Sequence, residues 1–258
     1  MDAPLTLPPK KFKLLSCEVL HRELCHLVAQ SPHQIDLFFL PKGLHDIGST
    51  GMLQRVQEAV DSVVESGYDA LLLGYGLCNN GIAGLQARTL PLVVPRAHDC
   101  MTLFFGSRGR YNDFFQNNPG TYFLTSGWLE RGETAGELQQ LSIQHQTGMD
   151  RSYEELVQKY GEDNAKYLFE QLGNHMRHYR QMTFIDMEFG PQEHFRAQAE
   201  QKAADRGWTF TCAKGDLRLL RDLVNGSWNN DDFLVVRPGE RVVVSYDDGI
   251  ITTERVTG

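Results

Sequence analysis

The sequence has no run of apolar residues long enough to cross a bilayer, because segments such as Ile35–Leu40 and Ala70–Leu73 have only the length of a strand. It also has no cluster of lysine and arginine, and its formal net charge is -8. These two features argue against a nucleic-acid-binding surface. Residues 1–13 contain no apolar segment typical of a signal peptide. We therefore expect a cytoplasmic protein that binds neither membranes nor nucleic acid.

Cysteine is scarce and widely spaced. The 258 residues include five cysteines, and no two of them form a Cys-x-x-Cys pair. Without an export signal a disulfide framework is not expected, and structural zinc sites are usually built from such close pairs. We therefore expect free thiols, and their role depends on where the fold places them.

Alternating strand-like and helix-like segments predict an α/β fold. Four short apolar segments are typical of buried parallel strands: 12–16, 34–40, 69–74 and 89–94. Segments 18–30 and 51–66 lie between them and carry apolar residues at helical spacing. Short connections favour right-handed parallel crossovers. We predict a Rossmann-like or flavodoxin-like α/β fold with a mostly parallel sheet and helices on both faces.

The second half of the chain repeats these signals less regularly. Helices are expected at 102–110, 153–160, 164–180, 191–206 and 215–224, and strands at 121–125, 182–187, 208–212, 233–236, 240–245 and 250–256. Asp247-Asp248-Gly249 predicts a C-terminal β-hairpin. We expect residues 1–258 to form a single domain with a possible insertion or linker at 131–180, which begins with the Gln-rich segment Arg131–Gly148.

Three of the predicted strands run into a thiol or an imidazole. Cys17 follows the first strand, Cys78 follows the third, and His98 and Cys100 follow the fourth. The carboxyl ends of parallel strands share one edge of the sheet, where ligands bind at the topological switch point. We therefore predict a metal site at this edge, with Cys17, Cys78, His98 and Cys100 as its ligands.

Cys17 has a second possible role as a catalytic nucleophile. It stands between a strand end and a helix start, where the helix N-terminus lowers a thiol pKa and favours the thiolate. A thiol enzyme that uses Cys17 without a metal is therefore an alternative. Cys25 and Cys212 are expected to be ordinary structural residues.

Residues next to the ligands suggest contacts to a substrate or cofactor. Arg96 is predicted as a catalytic anion clamp, with structural ion pairing as the alternative. Four further residues are expected to contact a cofactor, because they lie in glycine-rich turns around Cys78 or after Cys100: Gly76, Asn80, Gly81 and Ser107. Trp128 follows another strand end and either covers the pocket or packs in the core.

The donor set suits several metals. Zinc is the first candidate, since three protein ligands leave one position open for substrate. An iron–sulfur cluster is the second, because cysteines hold such clusters and a histidine can replace one of them. Sulfur-rich sites also bind copper(I), so the ligands alone do not choose the metal.

Several motifs resemble a bacterial and archaeal family catalogued as domain of unknown function 1638. The matching segments are Cys17–Leu20, Gly74–Gly81, Pro95–Cys100, Gly106–Arg108, Gly120–Tyr122, Thr125–Glu130 and Gly215–Leu217. Members of that family tend to be encoded beside corrinoid-dependent methyltransferases that demethylate methylamines or betaines. The resemblance implies a link to one-carbon metabolism.

The residues and the resemblance together give three hypotheses for function. The first is a metal-dependent enzyme of one-carbon metabolism that catalyses methyl transfer or activates a thiol on a small-molecule substrate. The second is a non-enzymatic chaperone that hands a metal or a corrinoid to a partner methyltransferase or corrinoid protein. The third is the metal-free thiol enzyme based on Cys17.

Overall fold

The computed structural model describes residues 8–63, 67–132, 136–143, 145, 153–162, 164–166 and 178–256. Its strands are β1 (Lys11–Cys17), β2 (Gln34–Leu40), β3 (Ala70–Gly74), β4 (Leu92–Pro95), β5 (Thr121–Leu124), β6 (Gln181–Asp186), β7 (Thr209–Lys214), β8 (Phe233–Val236), β9 (Glu240–Val244) and β10 (Ile251–Arg255). Its helices are α1 (His21–Val28), α2 (Gly48–Asp61), α3 (Cys100–Phe105), α4 (Arg108–Asn117), α5 (Ser126–Glu130), α6 (Glu137–Leu141), α7 (Tyr153–Tyr160), α8 (Gln192–Asp205) and α9 (Arg218–Val224). Short 3-10 helices span Glu18–Leu20 and Lys42–Ile47.

The main sheet has five strands in the order β2-β1-β3-β4-β8. The first four are parallel, and β8 runs antiparallel to β4. The chain leaves β1 for β2 on one side and returns to β3 on the other side. This reversal opens a crevice at the carboxyl ends of β1 and β3, which is the place where open α/β sheets bind ligands.

Both faces of the main sheet are covered, which confirms that part of the expectation. Leu72 on β3 packs in one core cluster with Leu20 and Leu24, whereas Leu73 packs in the other with Met52 and residues of α2. Successive strand side chains point to opposite faces, so an uninterrupted apolar strand is required where both faces are buried. All five residues of β3 are buried for this reason.

The remaining strands do not extend the main sheet. Strands β5, β6 and β7 form a separate parallel sheet, and β9 and β10 form the predicted antiparallel C-terminal hairpin. The periodicity of residues identifies each strand but carries no information on which strand it pairs with. The mixed α/β fold with a mostly parallel central sheet is therefore confirmed, with a second, smaller parallel sheet beside it.

Several predicted helix boundaries differ from the structure: the helices expected at 18–30 and 51–66 span His21–Val28 and Gly48–Asp61. The helix expected at 102–110 is two helices, because Gly106 ends α3 in the left-handed region at φ 73° and Ser107 caps α4 by accepting a hydrogen bond from the Arg110 N–H. The helix expected at 215–224 begins at Arg218. Of the segment expected at 164–180, residues 167–177 lie outside the described part of the chain, as does much of the possible insertion. The prediction of a single domain stays a prediction. No helix within the described residues is long and apolar enough to span a bilayer.

Candidate functional site: a cavity lined by three cysteines

Three thiols from three strand ends line one cavity. Cys17 is the last residue of β1, Cys78 lies in the loop after β3, and Cys100 is the first residue of α3 after β4. The cavity has a volume of about 310 Å³ and lies at the carboxyl edge of the main sheet. Three of the four residues predicted as ligands thus line one cavity, and their role as ligands stays a prediction. Trp128 also lines this cavity, so it occupies the place expected of a covering residue.

The loop that carries Cys78 is held against the segment before Cys100 by backbone contacts. The Leu77 N–H donates to the Ala97 carbonyl and the Cys78 N–H donates to the His98 carbonyl, each at 2.8 Å. Gly76 permits this approach, because a Cβ there would lie 2.8 Å from backbone atoms of Asp99. The two segments therefore form one unit that fixes two of the three thiols relative to each other.

The same loop holds three consecutive residues in the left-handed region of φ. The values are 45° for Cys78, 57° for Asn79 and 65° for Asn80. Asparagine tolerates this conformation, whereas cysteine rarely adopts it. Backbone conformations of this kind cost about 1–3 kcal/mol each and persist where the surrounding structure requires them. The Cys78 thiol is thus placed by a strained turn that its contacts with the Ala97-His98 segment maintain.

Cys100 is positioned by the start of α3. The Asp99 carboxylate caps this helix by accepting a hydrogen bond from the Thr102 N–H at 3.2 Å, and it also accepts one from the Tyr111 hydroxyl at 3.1 Å. A side-chain cap satisfies backbone donors that have no partner within the helix. Asp99 therefore fixes the helix start and, with it, the direction in which the next residue enters the cavity.

Burial keeps all three thiols protonated at neutral pH. It raises the pKa of Cys17 and the pKa of Cys78 from 9.0 to about 12, and it raises the pKa of Cys100 well above 9.0. The negative charges of neighbouring thiolates and of Asp99 raise the pKa values of Cys78 and Cys100 further. The sequence-based expectation of a lowered pKa at Cys17 is therefore wrong, because desolvation outweighs the helix start.

Backbone groups nevertheless lower the pKa of two of these thiols. Backbone N–H groups of Gly76 and Cys100 lower the pKa of Cys78 by hydrogen bonding to its thiolate, and the backbone N–H of Val19 does the same for the pKa of Cys17. Hydrogen bonds of this kind surround metal-bound thiolates and tune them. These contributions favour the ionised form of the sulfur, but burial outweighs them.

Two further donors lie at the cavity without an acceptor. The Tyr75 hydroxyl and the Trp128 indole N–H are buried and have no hydrogen-bond partner among the described residues. Tyr75 is only 3% exposed. The Trp128 N–H lowers the pKa of Cys100, because an ionised sulfur accepts a hydrogen bond more strongly than a neutral thiol does. An unpaired buried donor costs about 1–3 kcal/mol, and ionised sulfur would remove part of that cost.

His98 does not join the three thiols in the cavity. Its side chain is exposed and is not among the groups that line the cavity, whereas its backbone carbonyl holds the Cys78 loop. Among the residues that the structure describes, no three His, Cys, Asp or Glu side chains are arranged as a ready-made metal site. The assignment of His98 as a ligand stays a prediction.

Arg96 lies away from the cysteine cavity. Its guanidinium donates to four backbone carbonyls, those of Asn230, Phe233, Gly249 and Ile251, and so ties the C-terminal hairpin to the end of β4. Burial lowers the pKa of Arg96, and nearby Arg108 lowers it further. The observed contacts are structural, and we do not include Arg96 in the site.

The four residues expected to contact a cofactor lie in loops and turns and at a helix cap, outside the lining of the cavity. Gly76 and Gly81 allow close packing, since a Cβ on Gly81 would lie 2.2 Å from the Met52 sulfur. Asn80 is exposed in the strained turn, and Ser107 is the cap of α4. Each of these residues therefore has a role in positioning the backbone, and none of them lines the cavity.

Sequence reasoning missed the 3-10 helix after β2. Lys42 and His45 from this turn line the cavity, and the Lys42 ammonium donates to the Trp128 carbonyl at 3.2 Å and to the Gly132 carbonyl. The His45 Nδ1 contacts the Lys42 carbonyl at 3.1 Å and Asp46 at 3.2 Å. The end of β2 lies at the same sheet edge as the end of β1, so the argument used for the cysteines would have found these residues too.

The other two cysteines lie elsewhere. Cys212 is exposed on β7, and Cys25 lies on α1 with its sulfur 3.8 Å from the His21 Nε2. Neither lines the cavity. Their expected structural role agrees with these positions, and they provide matched controls for the three thiols of the cavity.

The fold and the cavity define a mixed α/β protein with a ligand-sized, thiol-lined cavity at the carboxyl edge of a parallel sheet. A family model described as "Protein of unknown function (DUF1638)" matches residues 39–224, and the chain belongs to this family. The matched range contains Cys78, His98 and Cys100 and excludes Cys17. No curated protein and no solved structure matches the chain.

Proposed function

We propose that the protein binds a metal centre through the thiolates of Cys17, Cys78 and Cys100 and acts as a metal-dependent enzyme of one-carbon metabolism. The observation that carries this proposal is the convergence of three strand-end thiols on one cavity that also holds unpartnered buried donors. The strand order β2-β1-β3-β4 supports a flavodoxin-like fold, in which ligands bind at the β1/β3 switch point.

Zinc is the metal we propose first. Three sulfur ligands leave one position of a tetrahedral zinc open, and catalytic zinc sites keep such a position for water or substrate. Bound zinc would hold a substrate thiol as the thiolate or polarise a carbonyl. An iron–sulfur cluster on the same three cysteines is the alternative, and a corrinoid would be reached through a partner protein. The free state of all five cysteines supports a reducing, cytoplasmic compartment.

Different residues around the cavity would have different roles in binding the metal. The three thiols would hold the metal, and the N–H groups of Gly76 and Trp128 would stabilise the negative charge on sulfur. Lys42 lowers the pKa of Cys17 by its positive charge, so it would also favour the ionised form. The reaction that we propose is methyl transfer or activation of a substrate thiol, in line with the one-carbon setting that the family resemblance implies.

The test is purification under anaerobic conditions, followed by measurement of bound metals, acid-labile sulfide and the absorption spectrum. Single Cys17→Ser, Cys78→Ser and Cys100→Ser variants should each lose metal, with the affinity falling by at least roughly tenfold as a ligand is removed. Cys25→Ser and Cys212→Ser are the matched controls and should keep the metal of the wild type. Full metal content in Cys78→Ser would contradict the ligand assignment.

The same preparation separates the alternatives. Zinc without sulfide supports the first proposal, and iron with sulfide supports the cluster. Turnover of a methyl donor identifies an enzyme, whereas release of metal or corrinoid to a partner without turnover identifies the chaperone. A protein that binds no metal but loses activity when Cys17 is alkylated would support the metal-free thiol enzyme instead.

A further inference from the structure

A second pocket adjoins the cysteine cavity. It has a volume of about 460 Å³, and Lys42, His45 and Trp128 line both spaces. Its other walls come from the three-stranded sheet, through Tyr122 and Met182, and from helix α8. Because three residues are shared, a molecule bound in one space lies next to the other. We call this second space the basic pocket.

Helix α8 and its C-cap present a polar stripe to the basic pocket. Gln198, Lys202 and Arg206 all line it, and their spacing of four residues places them on one side of the helix. The buried residues Ala199 and Ala203 lie beside this stripe and pack in the core of the smaller sheet. The orientation of the stripe is therefore fixed by the packing of the helix.

The charges of the basic pocket are mostly positive. Neither Lys202 nor Arg206 forms an ion pair with a carboxylate among the described residues. Lys42 adds a third positive charge, and Asp46 contributes a single carboxylate beside His45. Cations that converge on a concave surface, as Lys202 and Arg206 do here, are suited to an anionic ligand.

A purely structural explanation exists for two of these cations. Lys202 and Arg206 stand at the C-terminal end of α8, where positive charge is favourable because of the helix dipole. That explanation needs no pocket and predicts no ligand. It also does not involve Lys42, which lines the same pocket from a different element.

We propose that the basic pocket binds the carboxylate or phosphate group of the small molecule used at the cysteine cavity. The substrate is then a small anionic compound, with its charged group on Lys202 and Arg206 and the rest of it directed towards the three thiols. The anion site is argued from the geometry of the pocket, whereas the identification of its ligand as a substrate rests on the function proposed above.

The first experiment measures binding of inorganic phosphate and, separately, of succinate by calorimetry. The proteins are wild type, a Lys202→Gln/Arg206→Gln double variant, and Arg196→Gln, which removes an exposed cation of α8 that does not line the pocket. We expect the dissociation constant to rise by at least about tenfold in the double variant, since charge-assisted hydrogen bonds are lost. Arg196→Gln should bind like wild type. The anion that binds more tightly identifies the charged group of the ligand.

Two results would overturn the proposal. Equal binding by wild type and the double variant would show that these cations hold no anion. An equal loss in Arg196→Gln would show that the effect comes from overall charge. Circular dichroism of each variant verifies that α8 is retained, and Gln is chosen because it is a good helix former.

A second measurement links the basic pocket to the thiols. Iodoacetate is anionic and iodoacetamide is neutral, so the ratio of their rates reports the local field at a cysteine. In the metal-free protein, this ratio at Cys78 and Cys100 should be lower in the double variant than in the wild type. An unchanged ratio would overturn the link between the two spaces.

These outcomes are separable from those of the metal proposal. The double variant should keep the metal content of wild type, because it leaves all three thiols intact. If metal binding fails while phosphate binding depends on Lys202 and Arg206, the anion site stands and the metal proposal is wrong. If metal binding stands and phosphate binding is unaffected by the variant, only the anion site is wrong.

Discussion

Replacement of Gly76 by alanine tests whether the site depends on the close contact between its two loops. A Cβ at this position would lie 2.8 Å from the N, Cα and carbonyl C atoms of Asp99. These are backbone atoms, so no side-chain rotation can relieve the clash. The loop that carries Cys78 must therefore move away from the segment that precedes Cys100.

The size of the effect follows from the geometry. Carbon atoms in contact prefer about 3.5–4.0 Å, so the loop must retreat by about 0.7 Å or more. That movement would stretch the hydrogen bonds of Leu77 to Ala97 and Cys78 to His98 from 2.8 Å to about 3.5 Å, where they are nearly lost. Overpacking costs about 1–3 kcal/mol, and each hydrogen bond contributes about 1 kcal/mol. With both hydrogen bonds nearly lost, we expect Gly76→Ala to lower the free energy of unfolding by about 3–5 kcal/mol.

The assay is urea unfolding of the wild type, Gly76→Ala and a control, combined with measurement of bound metal. Gly109→Ala is the matched control, because no atom lies within 4 Å of a Cβ built there and the residue lies within α4. It should be neutral or stabilising by up to about 1 kcal/mol, since alanine favours a helix. Gly76→Ala with the unfolding free energy and metal content of wild type would refute this account of the loop contact.

Two other predictions concern pH and the C-terminal hairpin. Alkylation of Cys17 and Cys78 in the metal-free protein should be slow at pH 7. The rate, measured by mass spectrometry, should rise about tenfold per pH unit towards their pKa of about 12. A rate that levels off below pH 9 would contradict the raised pKa values. These thiols keep their protons in the folded state above their ordinary pKa of 9.0, so the stability that they contribute is complete below pH 9 and declines as the pH rises towards 12. Arg96→Lys should lower the free energy of unfolding by about 1–3 kcal/mol, because lysine cannot reach all four carbonyls. The metal content of this variant should equal that of the wild type. A loss of metal would show that Arg96 belongs to the site.

The first half of the fold could be predicted closely from the sequence, because its signals are local. Strand β2 spans the predicted Gln34–Leu40, and β3 differs by one residue from the predicted segment. Apolar periodicity and a glycine after the last residue are properties of a single segment. The pairing of β5, β6 and β7 into a separate sheet depends on contacts between distant segments, which periodicity does not encode.

The candidate site was predictable as far as strand topology determines it. Cys17, Cys78 and Cys100 converge because parallel strands end at one edge. The direction of a side chain within a loop does not follow from topology, so His98 could be placed near the edge but its exposure could not be foreseen. The pKa of Cys17 was predicted in the wrong direction for a similar reason, since burial depends on what covers the residue.

The proposed metal site would explain both the raised thiol pKa values and the unpartnered hydrogen-bond donors of the cavity. Three thiolates in one cavity without a cation would repel one another and lose their hydration, so the metal-free protein keeps neutral thiols. A metal ion bound as we propose would reverse that balance, because its charge would offset the repulsion and favour deprotonation of each coordinating sulfur. The Trp128 N–H and the backbone groups of Gly76 and Val19 would then face ionised acceptors. The cavity thus carries the cost of unpaired donors and of a strained Cys78 turn, and the metal that we propose would offset part of that cost.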